Sequence, residues 1–227
     1  MIRQRVLVLV PVLLVAVLAA IPLAVQASGG SYIGQFHHIS TVASTVPSNG
    51  DVNPYGVAVV PRSIGHLVQG DVLVSNFNAS SNLQGTGTTI VQVALDGTVS
   101  LFAHINAFTL PGSCPGGVGL TTALVVLQRG WVIVGSLPTS DGTSATAKAG
   151  CLIVLNSTGN AVETFSGSLI NGPWDMTASD GDNAAALFVT NVLNGTVAAN
   201  GKIVNQGTVI RIVLNVPNQG HGLPSRV

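Results

Sequence analysis

Short runs of aliphatic and β-branched residues recur along residues 53–216, and polar turns rich in Gly, Asn, Ser and Thr separate them. The runs are short and bounded by turn residues, which is typical of β-strands. No stretch after Ala27 repeats its apolar residues with the helical period over ten residues. The pattern therefore predicts an all-β fold.

The runs form three units that share one order of elements, over residues 53–105, 117–167 and 172–216. The second run of each unit is nearly all apolar, as expected for a strand buried on both faces. Tight turns such as Asp96-Gly97 separate the third and fourth runs. A four-stranded antiparallel unit that recurs about every 55–60 residues predicts a β-propeller blade, and a β-sandwich of about ten strands is the alternative.

The number of units is too small for a ring, since propellers typically have about four to eight blades. The third unit also lacks a fourth run, because the chain continues from Leu214 into a Gly/Pro tail over residues 217–227. We therefore expect an open array, completed by further blades or by another copy. Residues 28–52 form an N-terminal segment in which Gln35 to Val46 could supply the outer strand of a last blade.

The N-terminus has the pattern of an export signal. Arg3 and Arg5 precede an uncharged apolar run over residues 6–25, and Ala27 is the small residue that signal peptidase requires. This pattern predicts a signal peptide over residues 1–27 and a secreted, extracytoplasmic protein. Because a run of about 20 apolar residues can span a bilayer, an uncleaved membrane anchor is the alternative.

The composition restricts the partners of the chain. Only 7% of the residues are charged and 47% are hydrophobic, and the formal net charge is zero. Nucleic-acid binding requires a basic face, and the chain has no basic run from which to build one. We predict no nucleic-acid partner, a protein or glycan ligand, and membrane contact only through an uncleaved N-terminal segment.

The two cysteines, Cys114 and Cys151, predict a disulfide, because an even count in an exported chain favours pairing. The bond would close a loop of about 38 residues and destabilise the unfolded chain by roughly 3–4 kcal/mol. Two buried free thiols are the alternative.

One group of polar and aromatic residues is the candidate ligand-binding site. If the units are blades, its members lie near the axial ends of inner strands, where propellers bind ligands. The alternative is structural: the tryptophan packs between blades, and the asparagines satisfy turn backbone. The members are Tyr55, Asn76, Trp174, Asp175 and Asn191.

Other patterns offer little chemistry. Asp180 and Asp182 flank Gly181, and calcium favours such oxygen clusters, but no Glu follows at EF-hand spacing. We therefore predict a solvated turn and no cofactor, with calcium as the alternative. The adjacent His37 and His38 would point to opposite faces of a strand. The nucleophile elbow Gly-x-Ser-x-Gly is absent, and we predict no catalytic residue.

The pattern Pro-x-Gly-Val-Ala-Val, a strand ending in Val-Ser/Thr-Asn, and a later Gly-Thr-Val/Ile resembles secreted bacterial NHL-type six-bladed propellers. Four segments carry the likeness, which extends over residues 53–214. These segments are Asn53–Val60, Asp71–Asn76, Gly172–Asp175 and Leu187–Asn191. The resemblance implies a propeller with more blades than three.

Six-bladed propellers of the gluconolactonase type hold a divalent metal through Glu, Asn and Asp, and the resemblance aligns Asn76, Asn191 and Asp175 with such ligands. In the second unit the aligned position is Gly135, and the only glutamate of the chain is Glu163, in an outer-strand position. The sequence therefore favours an exported, non-catalytic binding or scaffold module, and a metal-dependent lactonase- or hydrolase-like enzyme is the alternative.

Overall fold

A computed structural model describes Gly34 and residues 36–181 and 183–219 of the 227-residue chain. The predicted signal peptide lies outside the described residues. No helix in this part of the chain is long and apolar enough to cross a membrane.

The chain divides into two compact units, residues 1–40 and residues 41–227. In the first unit the described residues 36–40 have no helix or strand. In the second unit, residues 41–46 pair with no strand of the described chain. The outer strand that we predicted over Gln35 to Val46 is therefore not formed within the described residues.

Eleven β-strands make up the regular structure of the described chain, together with two short 3-10 turns. Because their residues are mainly β-branched and aliphatic, the runs favour extended backbone. The strands are β1 Val52–Val59, β2 Val72–Asn78, β3 Thr89–Val93, β4 Val99–His104, β5 Leu120–Val126, β6 Val132–Ser136, β7 Cys151–Leu155, β8 Ala161–Phe165, β9 Pro173–Asp180, β10 Ala184–Asn191 and β11 Thr208–Asn215.

The strands pair into three antiparallel sheets in chain order. The first sheet is β1 to β4, the middle sheet is β5 to β8, and the third sheet is β9 to β11. The all-β prediction is confirmed. Within the described residues no strand pairs with the far edge of β11, so the third sheet has three strands where the other two have four.

The three sheets are stacked with the middle sheet buried on both faces. In β6, Val132 and Val134 pack toward the first sheet, whereas Ile133 between them packs toward the third. In β7, Ile153 and Leu152 divide in the same way. Successive residues of a strand point to opposite faces, so an unbroken apolar run serves two cores at once.

The first strands of the three sheets, β1, β5 and β9, are neighbours in the stack. Two buried hydroxyls link neighbouring sheets. Ser75 Oγ donates to the carbonyl oxygen of Thr121 at 2.9 Å, and Thr121 Oγ1 donates to the carbonyl oxygen of Pro173 at 2.9 Å. Each sheet is therefore tied to the next by a hydroxyl donating to a backbone carbonyl.

The predicted disulfide between Cys114 and Cys151 is confirmed, with Cα atoms 5.1 Å apart. It joins the loop before β5 to the first residue of β7, within the middle sheet. Cys151 is fully buried in the core that the first and middle sheets share. The sulfur atoms therefore both pack in this core and shorten the loop that the unfolded chain can explore.

Candidate functional site

The candidate site lies where the second strand of each sheet ends. Register fixes which residues are equivalent there, because Asn76 pairs with Pro54, Ser136 with Leu120 and Asn191 with Pro173. The alignment of Gly135 with the asparagines is wrong by one residue, and Ser136 occupies that place. The error is a misalignment of one residue, because the ungapped runs Val72–Asn76, Val132–Ser136 and Leu187–Asn191 place Ser136 level with both asparagines.

Asn76 and Asn191 are buried and serve the backbone around them. Asn76 Nδ2 donates to the carbonyl oxygen of Thr45 at 2.9 Å and to Thr89 Oγ1 at 3.2 Å. Asn191 Oδ1 accepts from the backbone N–H of Gly172 at 3.2 Å. The other amide atoms, Asn76 Oδ1 and Asn191 Nδ2, have no hydrogen-bond partner within the described residues. These contacts match the structural role that we gave as the alternative.

Tyr55 and Trp174 are brought together by a third aromatic residue, Phe77. The rings of Tyr55 and Phe77 stack with centroids 4.5 Å apart, and Trp174 meets both edge-on at 6.0 and 5.6 Å. Both arrangements are favourable for aromatic pairs. Tyr55 belongs to β1 and Trp174 to β9, so this aromatic cluster joins the first and third sheets.

A cavity of about 170 Å³ opens beside the aromatic cluster. Phe77, Leu137, Trp174, Val192 and Leu193 provide its apolar surface. Trp174 is half-buried, so part of its ring is accessible from the cavity. Pockets that bind small ligands commonly combine such apolar and aromatic walls with a few polar groups.

The polar residues of the cavity lining are Gln84 and four that carry hydroxyl groups. The hydroxyl groups belong to Thr139, Thr143, Ser144 and Thr196. Three of them lie in the Ser/Thr/Gly loop between β6 and β7, which sequence analysis treated only as a connection. No charged side chain lies among the residues that line this cavity.

Asp141 holds that loop in place from outside the cavity. Its Oδ1 accepts from the backbone N–H of Thr143 at 2.9 Å, from Thr143 Oγ1 at 2.8 Å and from Thr146 Oγ1. The hydroxyl of Thr146, followed by the two donors of Thr143, holds the pKa of Asp141 below its ordinary value. The hydroxyls at the cavity therefore belong to a loop with its own internal hydrogen bonds.

Asp175 stands apart from the cavity. Its side chain is exposed, and its Oδ1 accepts from the backbone N–H of Met176 at 2.9 Å. Of the five residues predicted for the site, the structure brings Tyr55 and Trp174 into contact, with Trp174 at the cavity, and buries Asn76 and Asn191. Phe77 was missed because, in the sequence, it reads as the end of an apolar strand.

Metal ligands are not gathered anywhere in the described part of the chain, where no group of three or more His, Cys, Asp or Glu side chains could hold an ion. In the turn considered for calcium, Asp180 Oδ2 accepts from the backbone N–H of Gln128 at 2.6 Å. Its partner in the sequence pattern, Asp182, lies outside the described residues.

A second, more polar cleft of about 620 Å³ lies at the other ends of the strands. Its lining includes Arg62 and Arg129. Arg129 is already engaged, because its guanidinium donates to the carbonyl oxygen of Val216 and to Asn183 Oδ1. This cleft carries no aromatic side chain among its lining residues.

No protein-family model matches the chain, and no curated protein is significantly similar to it. The site therefore has to be judged from its own geometry: an aromatic wall, an ordered hydroxyl-bearing loop and no charge at the lining.

Proposed function

We propose that this chain is an exported protein of the β-propeller class that binds a neutral glycan without catalysis. The observation that carries the proposal is the cavity that Phe77 and Trp174 share with the hydroxyl-bearing loop between β6 and β7. The inference about the ligand follows from the chemistry of these groups, and the inferences about fold and compartment have separate support.

The ligand class follows from the three kinds of group at the cavity. Sugar rings present apolar C–H faces and a border of hydroxyl groups. A half-buried indole ring suits such a face. Ser144 can exchange hydrogen bonds with sugar hydroxyls because its hydroxyl both donates and accepts, and Thr143, whose hydroxyl donates to Asp141, can accept one. The uncharged lining favours a neutral sugar, since a charged one would lose water without gaining an opposite charge.

The propeller class is supported by the stacking of three antiparallel sheets whose first strands lie side by side. A two-layer β-sandwich has no sheet covered on both faces by other sheets, and the middle sheet here has that environment. The resemblance to NHL-type six-bladed propellers agrees with this arrangement, and the structural basis for the class is the repeat of the sheets themselves.

Export is supported by the leader pattern and by the disulfide between Cys114 and Cys151. Disulfides persist in oxidising compartments and are rare in the cytosol. A protein outside the cytoplasm meets cell-wall and environmental glycans, which fits the proposed ligand.

Tryptophan fluorescence can test the glycan proposal directly. The chain has two tryptophans, and Trp131 is buried between the middle and third sheets, so Trp131→Phe leaves Trp174 as the only indole. This variant would be titrated with soluble neutral oligosaccharides of glucose and of N-acetylglucosamine. We expect a saturable shift of the Trp174 emission with at least one series.

Two further variants make the result specific. Thr143→Val with Ser144→Ala removes two hydroxyls at the lining and should weaken the same titration at least ten-fold, because each lost hydrogen bond leaves a sugar hydroxyl unpaired. Thr158→Val, in the exposed turn between β7 and β8, is the matched control and should leave it unchanged. A flat titration with both oligosaccharide series, in a variant that remains folded, would contradict the proposal.

A further inference from the structure

Residues 41–46 lie against the outward face of the first sheet in the way that β4 lies against the middle sheet. A Cβ atom added at Gly97 would lie 2.8 Å from the carbonyl oxygen of Val42, and one added at Gly159 would lie 2.0 Å from that of Phe102. Gly97 and Gly159 occupy the same turn, between third and fourth strands, in consecutive sheets. Val42 therefore has the same position relative to the first sheet that Phe102 of β4 has relative to the middle sheet.

The packing of the next residue extends this equivalence. Ala43 packs on Val74, Val91 and Val93 of the first sheet, and Ala103 is buried in the core between the first and middle sheets. Exposure also alternates along residues 42–46, as it does along a strand with one face covered. Residues 41–46 are thus placed as the fourth strand of a sheet whose other three strands are absent from the described chain.

The third sheet has the opposite deficiency, since the far edge of β11 is unpaired in the described chain. The outward face of the third sheet is also uncovered, whereas the equivalent faces of the first and middle sheets are buried. Leu73, Ile133 and Phe188 each stand three residues before the equivalent Asn76, Ser136 and Asn191. The first two are 0% and 1% exposed, whereas Phe188 is 40% exposed. On the same face, Val209 and Val213 of β11 are exposed as well.

The outward face of the first sheet is aliphatic over much of its area. In two rows across its four strands, every position is Val or Leu: Val57, Val74, Val91 and Leu101 in one row, and Val59, Val72, Val93 and Val99 in the other. Val57 and Val59 are each 63% exposed, so residues 41–46 cover only part of it. Exposed apolar patches of this kind mark interaction surfaces.

We infer that a second copy of this chain covers both ends of the stack. The third sheet of one copy packs on the first sheet of its partner, and residues 41–46 of the partner extend the third sheet as its fourth strand. Applied in both directions, this contact closes a two-fold ring of six sheets. One copy cannot close on itself, because the middle sheet separates its two ends.

The occupant is a second copy because the contact repeats one that the chain makes twice internally. The first sheet packs on the middle sheet in the same way as the middle sheet packs on the third. A third sheet packed on the first sheet of another copy would repeat this arrangement. A hydroxyl also stands at the equivalent place, because Thr190, one residue before Asn191, corresponds to Ser75, whose hydroxyl donates to the next sheet. In the described chain Thr190 Oγ1 donates at 3.3 Å to the carbonyl oxygen of Asp175 in its own sheet, and the partner would offer it a second acceptor. The exposed edge and the unpartnered strand are complementary, and both are repeated on every copy.

Arg211 is the one charged side chain on the face of β11 that this contact would cover. It stands opposite Phe188, as Gln92 stands opposite Leu73 in the first sheet. Gln92 is only 6% exposed and Nε2 donates to the carbonyl oxygen of His66. A polar side chain at this place is thus compatible with a buried contact, where it can donate to a loop carbonyl.

Sedimentation velocity over a range of concentrations, on protein purified after expression of the full sequence, tests the inference. The wild-type protein should show a concentration-dependent dimer and no larger species. Phe188→Glu should weaken the dimer at least ten-fold, because it places a carboxylate against the aliphatic face. Phe108→Glu is the control, since Phe108 is 97% exposed outside both faces, and it should leave the dimer unchanged.

A mixing experiment distinguishes this head-to-tail contact from a symmetric one. Val59→Lys should also weaken the dimer when measured alone. Mixed with Phe188→Glu it should restore dimers, because the mixed pair has one contact with both substitutions and one with neither. Circular dichroism checks that each variant is folded, and if Phe188→Glu does not fold, Val209→Glu replaces it on the same face.

A wild-type protein that stays monomeric at all concentrations would overturn the inference. So would a dimer that Phe188→Glu leaves intact, or mixed variants that remain monomers. The inference concerns the ends of the stack and not the aromatic cavity, so a failed glycan titration leaves it standing.

Discussion

The middle and third sheets follow the same strand pattern in very different surroundings. The middle sheet has four strands, a disulfide and a neighbouring sheet on each face. Among the described residues, the third sheet has three strands and one covered face. Ile133 and Phe188 show the contrast at one equivalent position, with exposures of 1% and 40%. In a repeated structure, the stability that an apolar residue contributes therefore depends on whether a neighbouring unit covers it.

Loss of the disulfide, which lies in the middle sheet, should have the largest effect on the free energy of unfolding. With a sequence separation of 37 residues, the bond raises the free energy of unfolding by roughly 4 kcal/mol. Cys114→Ala with Cys151→Ala should lower it by about that amount, measured by urea denaturation. Reduction of the wild-type protein is the control for the packing of the sulfur atoms, and an effect below about 1 kcal/mol in both experiments would contradict the prediction.

Truncation at the equivalent positions of the two sheets should have unequal effects. Ile133→Ala opens a cavity between sheets and should cost about 3 kcal/mol of unfolding free energy. Phe188→Ala should cost about 1 kcal/mol or less when measured at concentrations where the chain is monomeric, since its side chain is partly in water. Equal losses of unfolding free energy in the two variants would mean that the outward face of the third sheet is covered in the monomer, which would contradict this contrast.

The hydroxyl links between sheets should give a smaller difference. Thr121→Val removes the bond to the carbonyl oxygen of Pro173 and leaves that buried acceptor unpaired, so we expect a loss of about 1–2 kcal/mol. Thr190→Val, at the place in the third sheet that Ser75 holds in the first, should cost less than about 0.5 kcal/mol in the monomer, because its hydroxyl reaches no neighbouring sheet there. Urea denaturation of both variants checks this, and a reversed order would break the comparison.

The smallest effect concerns the pH dependence of the middle sheet. Burial raises the pKa of Glu163 above its ordinary value of 4.5. The folded state therefore holds this proton more tightly than the unfolded state, so the contribution to stability is present below pH 4.5 and is lost as the pH rises through the folded pKa. Glu163→Gln should remove this loss, so unfolding free energies of variant and wild type should diverge between pH 4 and 7.

Asp96→Asn provides a control of opposite sign. The backbone and side chain of Thr98 lower the pKa of Asp96, so its contribution is present above its ordinary pKa and is lost as the pH falls. The two variants should therefore change the slope of stability against pH in opposite directions. Slopes that change in the same direction would show that burial of Glu163 is not the cause.

Strand positions, the unpaired edge of the third sheet and the disulfide could be predicted from the sequence, because apolar runs, turn residues and cysteine parity are local signals. The equivalence of Ser136 with the asparagines was missed because a serine does not share their amide group, although the apolar runs that precede the three residues align without a gap. The cavity could not be predicted from the sequence either. Phe77 and Trp174 lie far apart in the sequence, and their rings meet only because the first and third sheets both pack on the middle sheet.

The central claim is that the two ends of the stack complete each other, and hydrogen exchange at β11 tests it most directly. Amide exchange of residues 208–215 and 41–46 would be followed by mass spectrometry at low and high protein concentration, with residues 89–93 of β3, already paired on both sides, as the internal reference. We predict that both segments become protected together as concentration rises, while β3 stays unchanged. Exchange of β11 and of residues 41–46 that is independent of concentration would contradict the claim.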